Sequence, residues 1–320
     1  MQNNPRKTFH LVFMFYVLLF LFTTFVLLYE FVIPHGGFIV ENPVVTTTTT
    51  SNSGVTTSDN ETTTITEELI YPGTVPSVLE DGIVLGSYFS DSVLITIYQI
   101  RATNSDVYVA DVVVKDACTI LTAFAYNTFG GTNITQTVSA MAIEHNAIFA
   151  INSDYASHYD SGFVIRNGLI LRSSFSNRDA ISLNIDGNLS TFTETTTTTQ
   201  EVLDSGSWQL WSFGPVLIKD GVSVASVNDG LDRDAVNNPR TAFGQVGSNH
   251  FMFVCVDGRT TISHGADIEE LAAIMVSLGC VEAYNFDGGG SSTMWFDGTL
   301  INHPSEGTER KVGDCVYIRR

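Results

Sequence analysis

A glycine-rich segment towards the carboxyl end of the chain has the residue types of a ligand-binding loop. The apolar run 281–286 predicts a buried strand that carries Asn285 and then Asp287 to its end. The residues that follow are Gly288, Gly289, Gly290, Ser291, Ser292 and Thr293. Glycine lets the backbone approach a ligand closely, and the hydroxyl and amide groups behind it suit an anion or a sugar. A plain glycine turn is the alternative interpretation.

A second polar turn follows another apolar run. Residues 147–152 predict a buried strand that ends at Asn152, with Ser153 and Asp154 directly after it. Polar side chains at the end of a rigid strand are well placed for contact with a ligand. From the local sequence alone an Asx-type turn explains the same residues, because Asn and Asp side chains bond to nearby backbone groups.

Two neighbouring segments add charged candidates. Pro239 restricts the residue before it to extended backbone, and Arg240 then enters the apolar strand 241–246. The predicted strand 250–256 ends in Asp257. The chain has a net charge of −19, so an arginine at a strand start is a candidate fork for phosphate or carboxylate. Simple pairing with one of the many carboxylates is the alternative.

The spacing of the motifs argues against several other kinds of site. The glycine loop has neither P-loop nor dinucleotide-binding spacing, since it lacks Gly-Lys-Ser/Thr and no helix is predicted after it. No CxxC or Cys/His spacing indicates zinc. The sequence therefore predicts no cofactor and no metal ligands. A hard cation held by Asp154, Asp257 and Asp287 is the alternative left open.

Short strands are the main elements that must position these residues. The β-branched and aromatic runs, with Asn-Gly and Asp-Gly turns at 167–168 and 186–187, favour hairpins. The predicted strands are 93–101, 107–114, 118–126, 147–152, 162–166, 169–172, 181–185, 189–192, 208–219, 240–246, 250–256, 281–286, 293–296 and 315–318. The first two form a hairpin around residues 104–106.

Two helices are predicted between these strands. A short one covers 138–146. The other begins after Asp267, which forms a capping-box pattern with Glu270, and it ends before Gly279. With the strands on either side, this helix makes a βαβ-like unit over 250–286. Many strands and few helices predict a single mixed α+β domain over residues 71–320.

The amino-terminal region predicts a membrane anchor. Residues 9–33 are long and apolar enough to span a bilayer, and Arg6 and Lys7 precede them. The next basic residue is Arg101, so the positive-inside bias predicts a cytoplasmic segment 1–8 and an extracellular remainder. A cleaved signal peptide is the alternative. Residues 34–70 contain several threonine runs, which predict an extracellular linker or stalk.

Composition bounds the partners. With 34 acidic and 15 basic residues, the chain is unsuited to nucleic acid, which requires a basic face. A membrane, contacted through the amino-terminal helix, is an expected partner, and the oligomeric state stays open. The four cysteines are Cys118, Cys255, Cys280 and Cys315. Outside the cell an even number favours at least one disulfide, although the pairing is not readable.

The glycine loop resembles a family signature. Residues 285–294 read Asn-Phe-Asp-Gly-Gly-Gly-Ser-Ser-Thr-Met, which closely resembles the Asn-Leu-Asp-Gly-Gly-Gly-Ser-Ser-Thr-Met motif of the phosphodiester glycosidase family. Other matching pieces occur in the family's order over about residues 80–320: they are 150–152, 238–242, 256–259, 270–272, 278–279, 302–305 and 309–310. Asn152-Ser153-Asp154 departs from the family's Asn-Gly-Gly or Asn-Gly-Asp, and residues 264–266 replace a more usual turn.

The resemblance implies cleavage of a sugar-1-phosphodiester at the anomeric carbon, leaving a phosphomonoester. Such a site needs positive charge or amides for the phosphate and a carboxylate for the anomeric carbon or the attacking water. The phosphate candidates are Arg240 and Arg310, helped by amides around Gly289–Ser292. The carboxylate candidates are Asp287, Glu309 and Asp154. Asn152 and Asn285 are candidates for orienting sugar hydroxyls, and Asp257 is a further substrate-binding candidate.

Together these inferences predict a single-pass protein of the cell membrane whose extracellular domain hydrolyses phosphodiester links in surface glycans or exopolysaccharide. The sugar and the aglycone are not readable from the sequence. Two alternatives belong to other classes: a glycan-binding surface module without turnover, and a metal-dependent hydrolase.

Overall fold

The computed structural model describes residues 5–31, 33–34, 36–40, 69, 71–227 and 235–320. Most of the predicted threonine-rich linker, residues 41–68, lies outside them. The helices are α1 (Pro5–Phe31), α2 (Ser77–Glu80), α3 (Val138–Glu144), α4 (Thr199–Asp204) and α5 (Ile268–Ser277). Of the described residues, most of those from 71 onward lie in strands and connecting turns, so the expectation of a strand-rich fold with few helices is confirmed.

Twenty strands are described. They are β1 (Phe38–Ile39), β2 (Ile83–Phe89), β3 (Val93–Ala102), β4 (Ser105–Val114), β5 (Ile120–Phe124), β6 (Thr128–Phe129), β7 (Ala147–Asn152), β8 (Val164–Arg166), β9 (Leu169–Arg172), β10 (Asp179–Asn184), β11 (Leu189–Thr193), β12 (Ser207–Trp211), β13 (Val216–Lys219), β14 (Val222–Ser223), β15 (Arg240–Gly247), β16 (His250–Val256), β17 (Glu282–Phe286), β18 (Met294–Phe296), β19 (Thr299–Leu300) and β20 (Asp314–Arg319).

The strands form three large sheets and one small one. The largest has the order β14-β13-β17-β15-β16-β4-β3-β2, and the two five-stranded sheets have the orders β19-β18-β7-β20-β5 and β11-β10-β12-β8-β9. Strands β1 and β6 make a two-stranded pair. The described neighbours pair antiparallel.

The core lies on both faces of the eight-stranded sheet. One face packs on the two five-stranded sheets, as the ring contacts of Phe253 with Phe149 at 5.2 Å and of Phe243 with Trp211 at 5.4 Å illustrate. The other face packs on α5 through side chains such as Leu271. Strand β16 is buried throughout, which explains its continuous apolar sequence.

The βαβ-like unit over 250–286 is confirmed, and strand β15 lies between its two strands. Asp267 accepts a hydrogen bond from the Glu270 amide, and Glu270 accepts one from the Asp267 amide, so the capping box is present. Gly279 ends the helix with a φ of +79°. Strand β15 lies between β16 and β17 and pairs antiparallel with both, so β16 and β17 run parallel to each other.

Three sequence expectations need correction. The β3–β4 hairpin turns at Thr103 and Asn104, which have φ values of +48° and +55°, one residue earlier than predicted. The single strand predicted over 208–219 is two strands, β12 and β13, which belong to different sheets. All four cysteines are free thiols, so the expectation of a disulfide is wrong.

The amino-terminal region begins with α1. Residues Phe13–Glu30 are long and apolar enough to cross a membrane, and none of them is buried in the domain. A signal sequence has the same properties. Part of the predicted linker is ordered, because Phe38 pairs with Phe129 and Ile39 pairs with Thr128.

Candidate functional site

The candidate site lies at one edge of the eight-stranded sheet, where β15 starts and its two neighbours end. Arg240 opens β15 opposite Val256, the last residue of β16. Thr241 is opposite Phe286, the last residue of β17. Because antiparallel neighbours reverse direction at each edge, this register brings Arg240 and the loops after β16 and β17 together.

A surface pocket of about 180 Å³ opens at this edge. It is lined by Phe213, Asn238, Arg240, Arg259, Asn285, Phe286, Asp287, Gly288, Gly289 and Arg310. Six of the sequence-predicted site residues are in this set. Asp287 is the one acidic residue among those lining the pocket.

The glycine loop is packed backbone against backbone on the segment before β15. The Gly289 amide donates to the Pro239 carbonyl at 2.7 Å, and Gly289 has a φ of +62°. A Cβ at Gly288 would lie 2.8 Å from the same carbonyl oxygen. The loop therefore requires glycine at these two positions, at one for its conformation and at the other for the close approach.

Two arginines flank this loop. The guanidinium of Arg259 lies against Gly289, and its Nε and Nη2 donate to Asn238 Oδ1 at 3.2 and 3.1 Å. The guanidinium of Arg310 lies against Gly290 and pairs with Glu306. Both arginines are exposed and line the pocket beside Asp287, and Glu306 offsets part of the Arg310 charge.

Sequence reasoning missed Arg259. It stands two residues after Asp257, in a turn where its own φ is +63°. An arginine in the turn that follows a buried strand was a usable signal. Its position beside Gly289 depends on the strand order, which places β15 between β16 and β17.

Arg240 lines the pocket but is held by the protein. Its Nε donates to the Ala266 carbonyl at 2.9 Å and its Nη2 donates to the Val236 carbonyl at 3.0 Å. Its side chain is buried. These bonds join the start of β15 to the segment before α5, so Arg240 stabilises the pocket wall.

The two asparagines differ in their partners. Asn285 donates to the Gly214 carbonyl at 2.8 Å, whereas its Oδ1 has no hydrogen-bond partner among the described residues. Asn285 is buried and lines the pocket, so this unpartnered acceptor lies in the pocket wall. Asn152 is instead held by the protein: it donates to the Asp287 carbonyl at 2.6 Å and accepts from Thr241 Oγ1 and the Thr293 amide.

Aromatic side chains extend from one wall of the pocket. Phe213 lines it, and the Tyr159 ring lies 6.4 Å from the Phe213 ring. Tyr155 stacks on His158 at 3.7 Å. Burial, together with the nearby Asp287 charge, raises the pKa of Tyr155, while the Arg310 charge opposes this shift. Tyr155 therefore lies close enough to Asp287 and Arg310 for both charges to affect its pKa.

A buried ionic cluster lies behind the Asn152 turn. Arg166 Nη2 donates to Asp154 Oδ1 at 2.5 Å and to Asp314 Oδ2 at 3.2 Å, and all three side chains are buried. Burial opposes ionisation of both acids, but the Arg166 charge and hydrogen bonds lower the pKa of Asp154. Burial and the charge of Asp154 raise the pKa of Asp314 well above its usual value. The cluster therefore favours the charged form of Asp154 and disfavours that of Asp314.

Two other predicted acids hold loops in place. Asp257 accepts hydrogen bonds from the His303 amide at 3.1 Å and from Asn302 Nδ2 at 3.3 Å, and burial raises its pKa. Glu309 accepts from the Ser139 amide at 3.0 Å and from the Ser139 hydroxyl, at the start of α3. Neither lines the pocket.

The alternative of a cation held by three aspartates finds no matching geometry. Among the residues that the structure describes, no group of three His, Cys, Asp or Glu side chains is arranged to hold a metal ion. Asp154 pairs with Arg166, Asp257 holds His303, and Asp287 lines the pocket, so these three carboxylates do not share one site.

A model of the phosphodiester glycosidase family matches residues 145–319, which is more than half of the chain. The chain belongs to the phosphodiester glycosidase family. The match contains the polar turn, the strand edge and the glycine loop, so every residue that lines the pocket lies inside it.

Relatives of this chain include the SPbeta prophage-derived uncharacterized protein YomE of Bacillus subtilis, which is 30% identical over 197 residues. That alignment covers 59% of this chain and 30% of YomE. Bovine N-acetylglucosamine-1-phosphodiester alpha-N-acetylglucosaminidase is 34% identical over 80 residues, which are 25% of this chain and 15% of the bovine enzyme. The chain therefore spans less than a third of the length of either relative.

A solved structure shares the fold. It is the catalytic domain of the zebrafish N-acetylglucosamine-1-phosphodiester alpha-N-acetylglucosaminidase, described as auto-inhibited by its pro-peptide. The TM-score is 0.57 at 20% identity, and the match covers 77% of this chain and 87% of the zebrafish chain.

The second half of the glycosidase motif faces inward. Ser291, Ser292 and Thr293 are buried, and Ser292 Oγ lies 3.2 Å from Thr241 Oγ1. The amides of Gly289, Ser291 and Ser292 already donate to protein carbonyls. The predicted amide nest for phosphate is therefore largely committed to holding the loop, and the positive groups that face the pocket are side chains.

Proposed function

We propose that this chain is a membrane-attached glycosidase that hydrolyses sugar-1-phosphodiesters on the outer side of the cell membrane. The observation that carries the proposal is that one carboxylate, Asp287, lines the same pocket as two exposed arginines, Arg259 and Arg310. In a chain of net charge −19, two cations at one pocket are suited to an anionic ligand. Family membership supports a hydrolase of this kind.

The arginines would bind the phosphodiester group. A guanidinium offers a planar fork that matches two phosphate oxygens, and charge-assisted bonds of this type are roughly twice as strong as neutral ones. Asn238 holds the Arg259 fork in orientation from its Nε and Nη2 edge. As the sugar–oxygen bond breaks, negative charge grows on the departing phosphate, and the same two cations stabilise it.

Asp287 would act at the anomeric carbon. The bond between this carbon and the phosphate oxygen breaks, and its electron pair stays with the oxygen of the phosphomonoester. The carboxylate stabilises the oxocarbenium-like transition state and accepts a proton from the water that attacks the carbon. Because phosphate is a good leaving group, its departure needs little help from a general acid.

The sugar would lie against the Asn285 and Phe213 side of the pocket. The Asn285 Oδ1 atom would accept a hydrogen bond from a sugar hydroxyl. This bond would offset the free-energy cost of burying an acceptor without a partner. Phe213 offers an apolar ring to the sugar face. The assignment of Glu309 and Asp154 as catalytic stays a prediction. The contact of Glu309 with Ser139 and the ion pair of Asp154 with Arg166 favour a structural role for each acid. Surface glycans joined by phosphodiester links are the substrate class that fits an outward-facing domain.

The test is release of phosphomonoester by the purified chain from a panel of sugar-1-phosphodiesters. We expect turnover of at least one substrate, and Asp287→Asn should abolish it while Asp297→Asn, at an exposed carboxylate paired with Arg320, leaves it unchanged. Binding without turnover by the wild-type chain would indicate a glycan-binding module. Loss of turnover on addition of a chelator would indicate a metal-dependent hydrolase.

A further inference from the structure

We propose that the catalytic domain rests directly on the membrane that holds α1, fixed there by the segment 36–40, here called the strap, rather than standing away from the membrane on a stalk. The partner surface is the outer face of a phospholipid bilayer. This inference does not depend on the proposed reaction.

The strap is built into the domain. Its strand β1 pairs with β6, and the Val40 amide donates to the Asn127 carbonyl at 2.5 Å. Val40 is buried with Phe124, Phe129, Ala156 and Val164. A segment that contributes both a strand and a core side chain is part of the fold and not a free linker.

Close backbone packing fixes the start of the strap. A Cβ at Gly37 would lie 2.6 Å from the Gly130 carbonyl oxygen and 2.7 Å from Thr128 Cγ2. Gly37 also has a φ of +75°. Only glycine fits there, so the approach of strap and domain depends on the residue that the sequence provides.

The helix end touches the same region of the domain. Asn133 Nδ2 donates to the Glu30 carbonyl, in the last turn of α1, at 3.3 Å. Six residues, 32–37, separate α1 from β1, and at 3.3–3.6 Å per residue they reach no more than about 22 Å. The large apolar side chains described within Phe13–Tyr29 are exposed to the surroundings, which a bilayer accommodates and water does not.

An uncharged apolar surface adjoins this junction. Its exposed members are Phe38, Ile39 and Tyr126. They line a groove of about 290 Å³ together with Pro34, Gly36, Gly37, Thr128 and Ile134, and none of these residues carries a charge. In a chain of net charge −19, such a surface at the end of a membrane helix suits the lipid interface, where aromatic and apolar groups are favoured.

The threonine-rich segment then adds no distance between membrane and domain. The chain before it ends on the domain at buried Val40, and the chain after it returns to the domain at Tyr71, whose hydroxyl donates to Asp111 at 2.7 Å. Both ends of the segment are thus fixed to the same body.

The test places a nitroxide label on the full-length chain in vesicles of phosphatidylcholine and phosphatidylglycerol. Tyr126→Cys carries the label on the apolar surface, and Phe89→Cys carries it on edge strand β2. Their exposed fractions are 53% and 55%, so the two positions are matched. The unsubstituted chain corrects for labelling of half-buried Cys118.

We expect the label at 126 to collide more with oxygen than with a water-soluble nickel chelate, and the label at 89 to show the opposite. Adding Gly37→Val to the Tyr126→Cys chain should give position 126 the aqueous pattern while the protein stays in the vesicle fraction. An aqueous pattern at 126 in the otherwise unchanged chain overturns the proposal. A mature chain that lacks α1 by mass spectrometry overturns it as well.

Discussion

The side-chain amide of Asn152 donates a 2.6 Å hydrogen bond to the backbone carbonyl of Asp287, and this bond joins two different sheets at the base of the pocket. A second bond runs in parallel, from the Asp287 amide to the Ser153 carbonyl at 3.1 Å. Asp287 is therefore held by its backbone on both sides. The backbone that carries this carboxylate therefore does not have to be ordered when substrate arrives.

Replacing Asn152 should therefore affect folding as well as catalysis. Asn152→Ala leaves the Asp287 carbonyl and the Thr293 amide without their partner, at a cost of about 1–3 kcal/mol for each buried group. We expect a lower free energy of unfolding in urea and lower activity. Asn285→Ala is the comparison. It should raise KM for the sugar substrate, and it should lower the free energy of unfolding by less than Asn152→Ala does. Equal stability losses in the two variants would contradict the distinction.

Asp287→Asn should remove activity and leave the fold unchanged. The amide keeps the size of the carboxylate but cannot accept a proton, so kcat should fall by about 10²–10⁴-fold with a Tm close to that of the wild type. Gly289→Ala should also lower kcat/KM, since its Cβ would lie 3.0 Å from Arg259 Nη2 and its φ of +62° strains alanine. Full activity of well-folded Asp287→Asn would exclude Asp287 from the reaction.

The pocket arginines should differ in what they contribute. Arg259→Lys keeps the positive charge but loses the planar fork held by Asn238, so kcat/KM should fall about tenfold or more at unchanged Tm. Arg310→Lys should lower kcat/KM in the same way. Arg240→Lys should mainly lower Tm, because the buried Arg240 side chain bonds to two backbone carbonyls. Wild-type kinetics for both Arg259→Lys and Arg310→Lys would remove them from phosphate binding.

Glu309→Gln tests a predicted catalytic acid whose contacts are structural. The carboxylate accepts from the amide and hydroxyl of Ser139 at the first turn of α3, where negative charge is favourable. We expect the free energy of unfolding to fall by about 0.5–2 kcal/mol, with kcat changed less than about twofold. A large loss of kcat at unchanged stability would restore Glu309 as a catalytic residue.

Asp314 should make the protein less stable as pH rises. Burial and the Asp154 charge raise its pKa well above the usual value, so above pH 4 the folded chain keeps a proton that the unfolded chain has lost. Stability from this group is then complete below the unfolded pKa and declines up to the folded pKa, by about 1.4 kcal/mol per pH unit.

The measurement compares urea unfolding of the wild type and Asp314→Asn from pH 5 to pH 8. Asparagine mimics the protonated carboxyl and does not titrate, so the variant should gain stability relative to the wild type as pH increases. A constant difference across this range would show that Asp314 ionises in the folded protein as it does in the unfolded one.

Much of the fold was readable from local patterns. Strand β16 was predicted with correct bounds because a strand buried on both faces needs an unbroken apolar run. Helix α5 was predicted because its capping box and terminal glycine are local signals that satisfy the helix ends. The glycine loop and Asp287 were also found, since close backbone approach leaves a direct trace in the sequence. The prediction of a single strand over 208–219 was wrong because the apolar pattern continues across the point where the chain passes from one sheet to another.

The membership of the pocket was decided by tertiary structure. Arg259 meets Gly289 because β15 separates β16 from β17, and no local pattern encodes that strand order. The sequence predicts three further site acids, Asp154, Asp257 and Glu309. Their carboxylates are instead bonded to other parts of the protein, respectively to Arg166, His303 and Ser139. Ser139 is 170 residues from Glu309. The type of a side chain is written in the sequence, whereas its partners are set by which distant strands pair, because pairing is selected by the packing of whole sheet faces.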